Sequence, residues 1–368
     1  MDVERDASIV SDAGKPSGKL SEKPEKPCEK TPDTPDTSNC KIDPCNKSNA
    51  SDNILLSRYC GCLLGLAVGD ALGAPLEFLT ESQIKQRYGF VKSMIGGGWL
   101  DLKPGQFTDD TEMALAIVKS VIEMRRIEPN DIARKFLDWY LKDPKDIGNT
   151  TRFALHKLSE GARWDQAGDA TYAMFKERAA SNGSLMRTAP VTLADAGNPE
   201  RMKKDSAAVS RITHAHPRCI ASCVAYNLLL DVVIRGIQKD ELEVWLQAIS
   251  KEIEGIDEPT AEVLRGIGSL NEDKLAFTGY VLHTLQSSIY SFLRTSSFSE
   301  CLLWIVNKGG DADTNGAVAG ALAGSYYGME AIPAEWIKAL DVNPATSDTI
   351  IRFASRLLEI SNSEKKSK

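Results

Sequence analysis

Glycines stand at positions 61, 65, 69 and 73 of this 368-residue chain, one every four residues in an otherwise largely apolar run. Residues four apart share one face of an α-helix, so the segment from Arg58 to Leu72 carries a stripe without side chains. Each glycine weakens a helix interior by about 1 kcal/mol relative to alanine. A helix with four of them persists only where tight packing compensates. The stripe therefore predicts a buried helix with a close helix or backbone neighbour.

Helical periodicity dominates from Ile54 onward. Further helices are expected at 110–126, 130–142, 150–161, 185–195, 200–213, 217–236, 239–254, 280–293, 298–307, 314–327 and 347–360. Val, Ile and Thr never alternate with polar residues over a strand's length between turn signals. The expected fold class is all-α: a compact single-domain helical bundle of a dozen or so helices over residues 54–363, without a solenoid repeat.

Composition breaks near residue 53. The first 53 residues hold six of the 16 prolines and scarcely any large apolar side chain, too little to offset ordering entropy. They read as a disordered N-terminal arm, or as one that folds onto a partner or over the protein's own site. A net charge of −7 argues against a nucleic-acid partner, which calls for a basic face. No run of ~20 uninterrupted apolar residues suggests a membrane span. The most apolar helix, Cys219 to Ile234, carries Asn227 and Asp231 and reads as a core helix. The acidic start Met1-Asp2-Val3-Glu4 does not resemble a secretory signal. None of the eight cysteines forms paired zinc-type spacings; those at 60, 62, 219 and 223 read as small buried hydrophobes. A reducing, cytoplasmic setting is expected.

Two acidic clusters carry the chemistry. In Gly105-Gln106-Phe107-Thr108-Asp109-Asp110-Thr111-Glu112, either Thr108 or Asp109 is a natural helix cap. Capping alone does not call for adjacent acids, which repel unless a cation sits between them. In Gly309-Gly310-Asp311-Ala312-Asp313-Thr314, a glycine-bent loop again delivers acids and a threonine to a helix start. Together these oxygen-only donors suit Mg²⁺ or Mn²⁺ rather than zinc. Three further motifs open helices or turns. Lys145-Asp146-Ile147-Gly148-Asn149-Thr150 is a capping loop, and Ser181-Asn182-Gly183-Ser184 is an Asn-Gly turn whose helix start suits an anion such as a diphosphate. In Thr213-His214-Ala215-His216-Pro217, one histidine can touch a phosphate or ribose while the other packs.

In combination and in order, these stretches resemble the ADP-ribosylglycohydrolase family. Gly65-Leu66-Ala67-Val68-Gly69-Asp70-Ala71-Leu72-Gly73-Ala74-Pro75-Leu76-Glu77-Phe78 and Gly96-Gly97-Gly98-Trp99 add to the match, which covers almost the whole chain from about residue 55. The resemblance implies two divalent cations, Mg or Mn, with Thr108, Asp109, Asp110, Asp311, Asp313 and Thr314 on the metal positions. It places Glu77 beside the cleft and Asn182, Gly183, Ser184 and His214 on ADP-ribose. Asp146, in its Asp-Ile-Gly-Asn-Thr setting, is similar to the acid of members that act on ADP-ribosylated arginine. Asp146 and Glu77 are thus the expected catalytic carboxylates, and an ADP-ribosylated protein the expected substrate. A second expectation is an inhibitor whose N-terminal arm, residues 1–53, blocks an ADP-ribosyltransferase.

Overall fold

The computed structural model describes residues 47–365. Sixteen α-helices follow one another: α1 (Lys47–Gly73), α2 (Glu81–Tyr88), α3 (Asp109–Met124), α4 (Pro129–Tyr140), α5 (Asn149–Ser159), α6 (Trp164–Phe175), α7 (Ala189–Asp195), α8 (Pro199–Arg211), α9 (Pro217–Ile234), α10 (Leu242–Ile253), α11 (Glu258–Gly266), α12 (Val281–Arg294), α13 (Phe298–Val306), α14 (Ala312–Tyr327), α15 (Ala334–Ala339) and α16 (Ser347–Lys365). Only isolated bridges, and no strands, occur among the described residues. The fold is an all-α, single-domain helical bundle, as expected. The arm proposed for residues 1–53 lies outside the described residues up to residue 46, and α1 already runs through 47–53.

The partner of the glycine stripe is a second stripe on α14. The two helices run antiparallel, backbone against backbone. A Cβ on Gly61 would sit 2.2 Å from the Gly324 carbonyl oxygen, one on Gly65 2.2 Å from Gly320, and one on Gly69 1.9 Å from Gly316. The reciprocal distances from Gly316, Gly320 and Gly324 are 2.4, 2.0 and 1.9 Å. No side chain fits at these crossings. Around the pair, α9 contributes a Tyr226 hydroxyl that donates to Val318 O at 2.6 Å, and α3, α7, α12, α13 and α16 complete the packing. The apolar helix over Cys219–Ile234 is buried, as read from its sequence. Cys60, Cys62, Cys219, Cys223 and Cys301 are buried free thiols.

Four helices were not legible. The helix α2 buries only Ile84 and lacks an apolar stripe. Within α6, Gly168 breaks the pattern, because a Cβ there would lie 2.0 Å from Arg211 O. The helices α11 and α15 have nine and six residues, and segments that short carry little periodicity. The helix expected from 185 starts only at Ala189, with Pro190 in its first turn where no N–H is needed. Asn182–Ser184 forms a separate 3₁₀ turn.

Gly69→Ala is expected to destabilise the protein by roughly 3 kcal/mol or more, as overpacking against backbone. Gly266, with open space around it, is the control: Gly266→Ala should shift stability by less than about 1 kcal/mol. Urea denaturation of both variants checks the pair.

Candidate active site

The two striped helices end beside each other, and so do the loops that follow and precede them. After α1 the chain makes a short 3₁₀ turn, Ala74–Leu76, and reaches Glu77. The next residues bind the loop before α14: Phe78 N–H donates to Gly310 O at 2.7 Å, and Gly310 N–H to Leu79 O at 2.8 Å. Asp311 N–H in turn donates to Phe277 O at 2.8 Å. Gly309 and Gly310 have φ of 70° and 68°, the left-handed region that glycine enters freely. A Cβ would also meet Leu79 O at 2.0 Å and Phe277 O at 1.8 Å. This lacing brings Glu77, Asp311 and Asp313 together, with one carboxylate oxygen of each within 4.8 Å of the others.

The other acidic cluster is anchored by a residue that the sequence reading left without a role. Asp70, on α1 next to Gly69, is fully buried. Its carboxylate accepts from Thr108 N (3.0 Å), Thr108 Oγ1 (3.0 Å), Thr111 N (3.1 Å) and Thr111 Oγ1 (2.6 Å). The cap expected from Thr108 or Asp109 therefore comes from Asp70, across the helix interface. Asp109 and Asp110 are released from capping. Thr314 Oγ1 reaches Asp110 Oδ2 at 3.5 Å and so joins the two clusters. An acid inside an apolar helix was the available signal for Asp70.

Burial raises Asp109, Asp110 and Asp313 well above the usual carboxylate range, and neighbouring carboxylates raise them further. Burial and the same neighbours push Glu77 to about 8 against the opposing pull of the Trp99 indole, and Asp146 to about 6. Asp110 Oδ1 is buried with no hydrogen-bond partner. The buried cation that offsets part of this charge is Arg187. A crowd of ionisable oxygens, one of them orphaned, fits divalent cations.

A cleft of about 510 Å³ opens over this floor. Glu77, Asp109, Asp146, Asp311, Asp313 and Thr314 line the cleft. At the rim, exposed Phe78 and Trp99 pair with ring centroids 5.6 Å apart, and Trp99 Nε1 donates to Glu77 Oε2 at 2.5 Å. Thr150, Ser181, Gly183 and Arg178 also line the cleft, beside the N-terminus of α5, which has no side-chain cap. A larger groove of about 750 Å³ between α2 and α13 shares none of these residues.

The residues expected on the ligand are divided by the structure. Asn182 and Gly183 reach the cleft wall, but the Asn182 amide is committed: Nδ2 donates to Asp311 Oδ2 and Thr284 Oγ1, both at 2.8 Å. Asn182 thus steadies an acid. Ser184 and His214 are buried behind the wall, Ser184 against Ser210 at 3.0 Å and His214 against Ser181 at 2.9 Å. Neither lines the cleft. Thr108 and Asp110 lie beneath its floor, both buried.

Comparison with known proteins gives the chain's relatives. The sequence pattern of ADP-ribosylglycohydrolases matches residues 51–366. The chain is 38% identical to the ADP-ribosyl-dinitrogen reductase glycohydrolase of Rhodospirillum rubrum, over 77% of this chain and 90% of that protein. It is 32% identical to the ADP-ribosylarginine hydrolase Tri1 of Serratia proteamaculans, over 77% of this chain and 75% of the relative. A solved ADP-ribosylglycohydrolase-related protein complex contains a chain that superposes with a TM-score of 0.70 at 34% identity, covering 84% of this chain and 99% of that one. With a match that spans the whole helical bundle and both acidic clusters, the chain belongs to the ADP-ribosylglycohydrolase family.

Proposed function

We propose that the protein removes ADP-ribose from modified arginine side chains, using two divalent cations, Mg or Mn. One observation carries the reading: a single cleft is lined both by the acids Glu77, Asp109, Asp146, Asp311 and Asp313 and by the neutral or positive donors Thr150, Ser181 and Arg178. ADP-ribose offers the complementary groups, ribose hydroxyls for an acidic lining and a diphosphate for the donors. The arginine preference is supported by Asp146 on the cleft wall and by the relatives named for dinitrogen reductase and ADP-ribosylarginine.

Asp109, Asp110, Asp311 and Asp313, with Thr108 and Thr314, would hold the cations. Bound there, divalent cations supply charge neutralisation, a grip on ribose hydroxyls and a water of lowered pKa. The chain's own side chains do the rest. Glu77 and Asp146 are the two rim carboxylates that face the scissile bond between C1″ and the guanidine nitrogen, and either accepts the proton of an attacking water at a carboxylate oxygen. Trp99 holds Glu77 Oε2 in place by its indole N–H. The negative wall favours the positive charge that develops on the ribose as the bond breaks. Arg178 and the N-terminus of α5 receive the diphosphate.

Asp109→Ala and Asp313→Ala should each lower hydrolysis of ADP-ribosyl-arginine by about a hundredfold or more and weaken Mn²⁺ binding. Turnover assays and calorimetric titration check both. Full activity in EDTA-treated protein would sink the metal reading, and release from ADP-ribosyl-serine alone would sink the arginine one.

A pH effect on stability follows from the crowded acids. Burial raises Asp146 to about 6, Asp70 to about 7 and, with its acidic neighbours, Glu77 to about 8. A carboxyl held above its unfolded value stabilises the fold below that value, and the contribution is lost as pH rises through the folded value. Metal-free protein should therefore melt at falling temperature between about pH 5 and about pH 8. Saturating Mn²⁺ should remove most of that slope in a melting series; equal slopes with and without the ion would contradict the assignment.

A further inference from the structure

A chain of hydrogen bonds links the buried cation to the cleft wall, and its direction is determined by chemistry. Arg187 is fully buried, with its guanidinium carbon 4.5 Å from the centroid of the Phe136 ring. A guanidinium only donates, so Nη2 gives its hydrogen to Thr213 Oγ1 at 2.5 Å. Thr213 Oγ1 lies 2.7 Å from Nδ1 of His214. The threonine has one hydroxyl hydrogen, and among the described contacts Nδ1 is the acceptor within its reach. Nδ1 is then the bare nitrogen, and Nε2 carries the ring hydrogen. Burial and the charge of Arg187 both hold His214 well below its ordinary value, which keeps the ring neutral.

From the ring the direction continues outward. Nε2–H donates to Ser181 Oγ at 2.9 Å, and Ser181 Oγ–H donates to Thr150 Oγ1 at 3.1 Å. Ser181 and Thr150 line the cleft. Thr150 accepts from behind, which leaves its own hydrogen for a ligand. The opposite polarity, with hydrogen on Nδ1, would strand the Thr213 hydrogen as a buried donor without an acceptor. Gly183 leaves room for the ring: a Cβ there would sit 3.0 Å from His214 Cε1 and 3.1 Å from Nε2.

We propose that Arg187 and Thr213 are positioning residues that lock His214 in its Nε2–H tautomer, so that Ser181 donates to Thr150 and the Thr150 hydroxyl is presented as a donor to an anionic ligand group. That this group is the ADP-ribose diphosphate rests on the function proposed above; the tautomer does not. His214 acts on the ligand through Ser181, from behind the wall.

The test reads the ring directly. Long-range nitrogen–proton spectra of the ligand-free protein, labelled at its four histidines, should show His214 as Nε2–H near neutral pH. Thr213→Val should release that lock and weaken ADP-ribose binding about tenfold, while Thr213→Ser restores both. Ser181→Ala, a change at the cleft wall, should weaken ADP-ribose binding with the tautomer unchanged. It keeps the proposal testable should Thr213→Val fail to fold. An Nδ1–H or charged His214 in the wild type overturns the proposal. So does a tautomer that follows Ser181 instead of Thr213. A wild type that shows the lock but does not bind ADP-ribose supports the relay and removes the function proposed for the cleft.

Discussion

The site depends on the contact between two backbones. Where α1 crosses α14, glycine faces glycine, and the residues beside those glycines are the ones that carry chemistry. Asp70 follows Gly69, and Asp313 and Thr314 precede Gly316 on the opposing helix. With no side chains between them, the two helices have little freedom to slide or separate. Close-packed interiors resist small displacements, and at this crossing the resisting atoms are carbonyl oxygens. The acids of two distant segments are therefore set against each other by a contact that contains no acid.

That rigidity makes the electrostatic arrangement tolerable. Buried carboxylates at this density repel one another and lose water, so the cleft floor is under strain in the metal-free protein. The fold answers by tying several of the acids to a partner from another element. Asp70 takes four donors from the start of α3, and Asp311 is held by the Asn182 amide. Glu77 is pinned by the Trp99 indole. Asp110 Oδ1 is buried without a partner, and a free buried oxygen beside tethered ones is where a cation has most to offer.

What could be read in the sequence was local. The striped helix, the long amphipathic helices and the two glycine-bent acidic loops all carry their signal within a few residues. The partner of the stripe did not, because Gly316, Gly320 and Gly324 sit in a helix so rich in small residues that no one face stands apart. Asp70 was missed as a cap for a related reason: capping rules look a few residues along the chain, and its target lies 38 residues away. The same limit explains His214 and Ser184. Their motifs lie next to cleft-lining residues, but whether a side chain faces the cleft or supports it from behind is decided by tertiary packing.

The division between facing and supporting residues also bears on how such a site can change. Groups in the cleft are oriented by their neighbours: Glu77 by Trp99, Asp311 by Asn182, and Thr150 by Ser181 with the buried His214, Thr213 and Arg187 behind it. A supporting shell of this kind sets geometry to within fractions of an ångström. Substitution at the buried His214, Thr213 or Arg187 therefore alters the cleft wall without altering any residue that lines it. The acidic floor is shared between elements locked by the glycine crossing and has little room to vary. The rim, built on exposed Phe78 and Trp99 and on the loop that carries Asp146, has more. The acidic floor is thus the fixed part of the cleft, and the rim the part open to change.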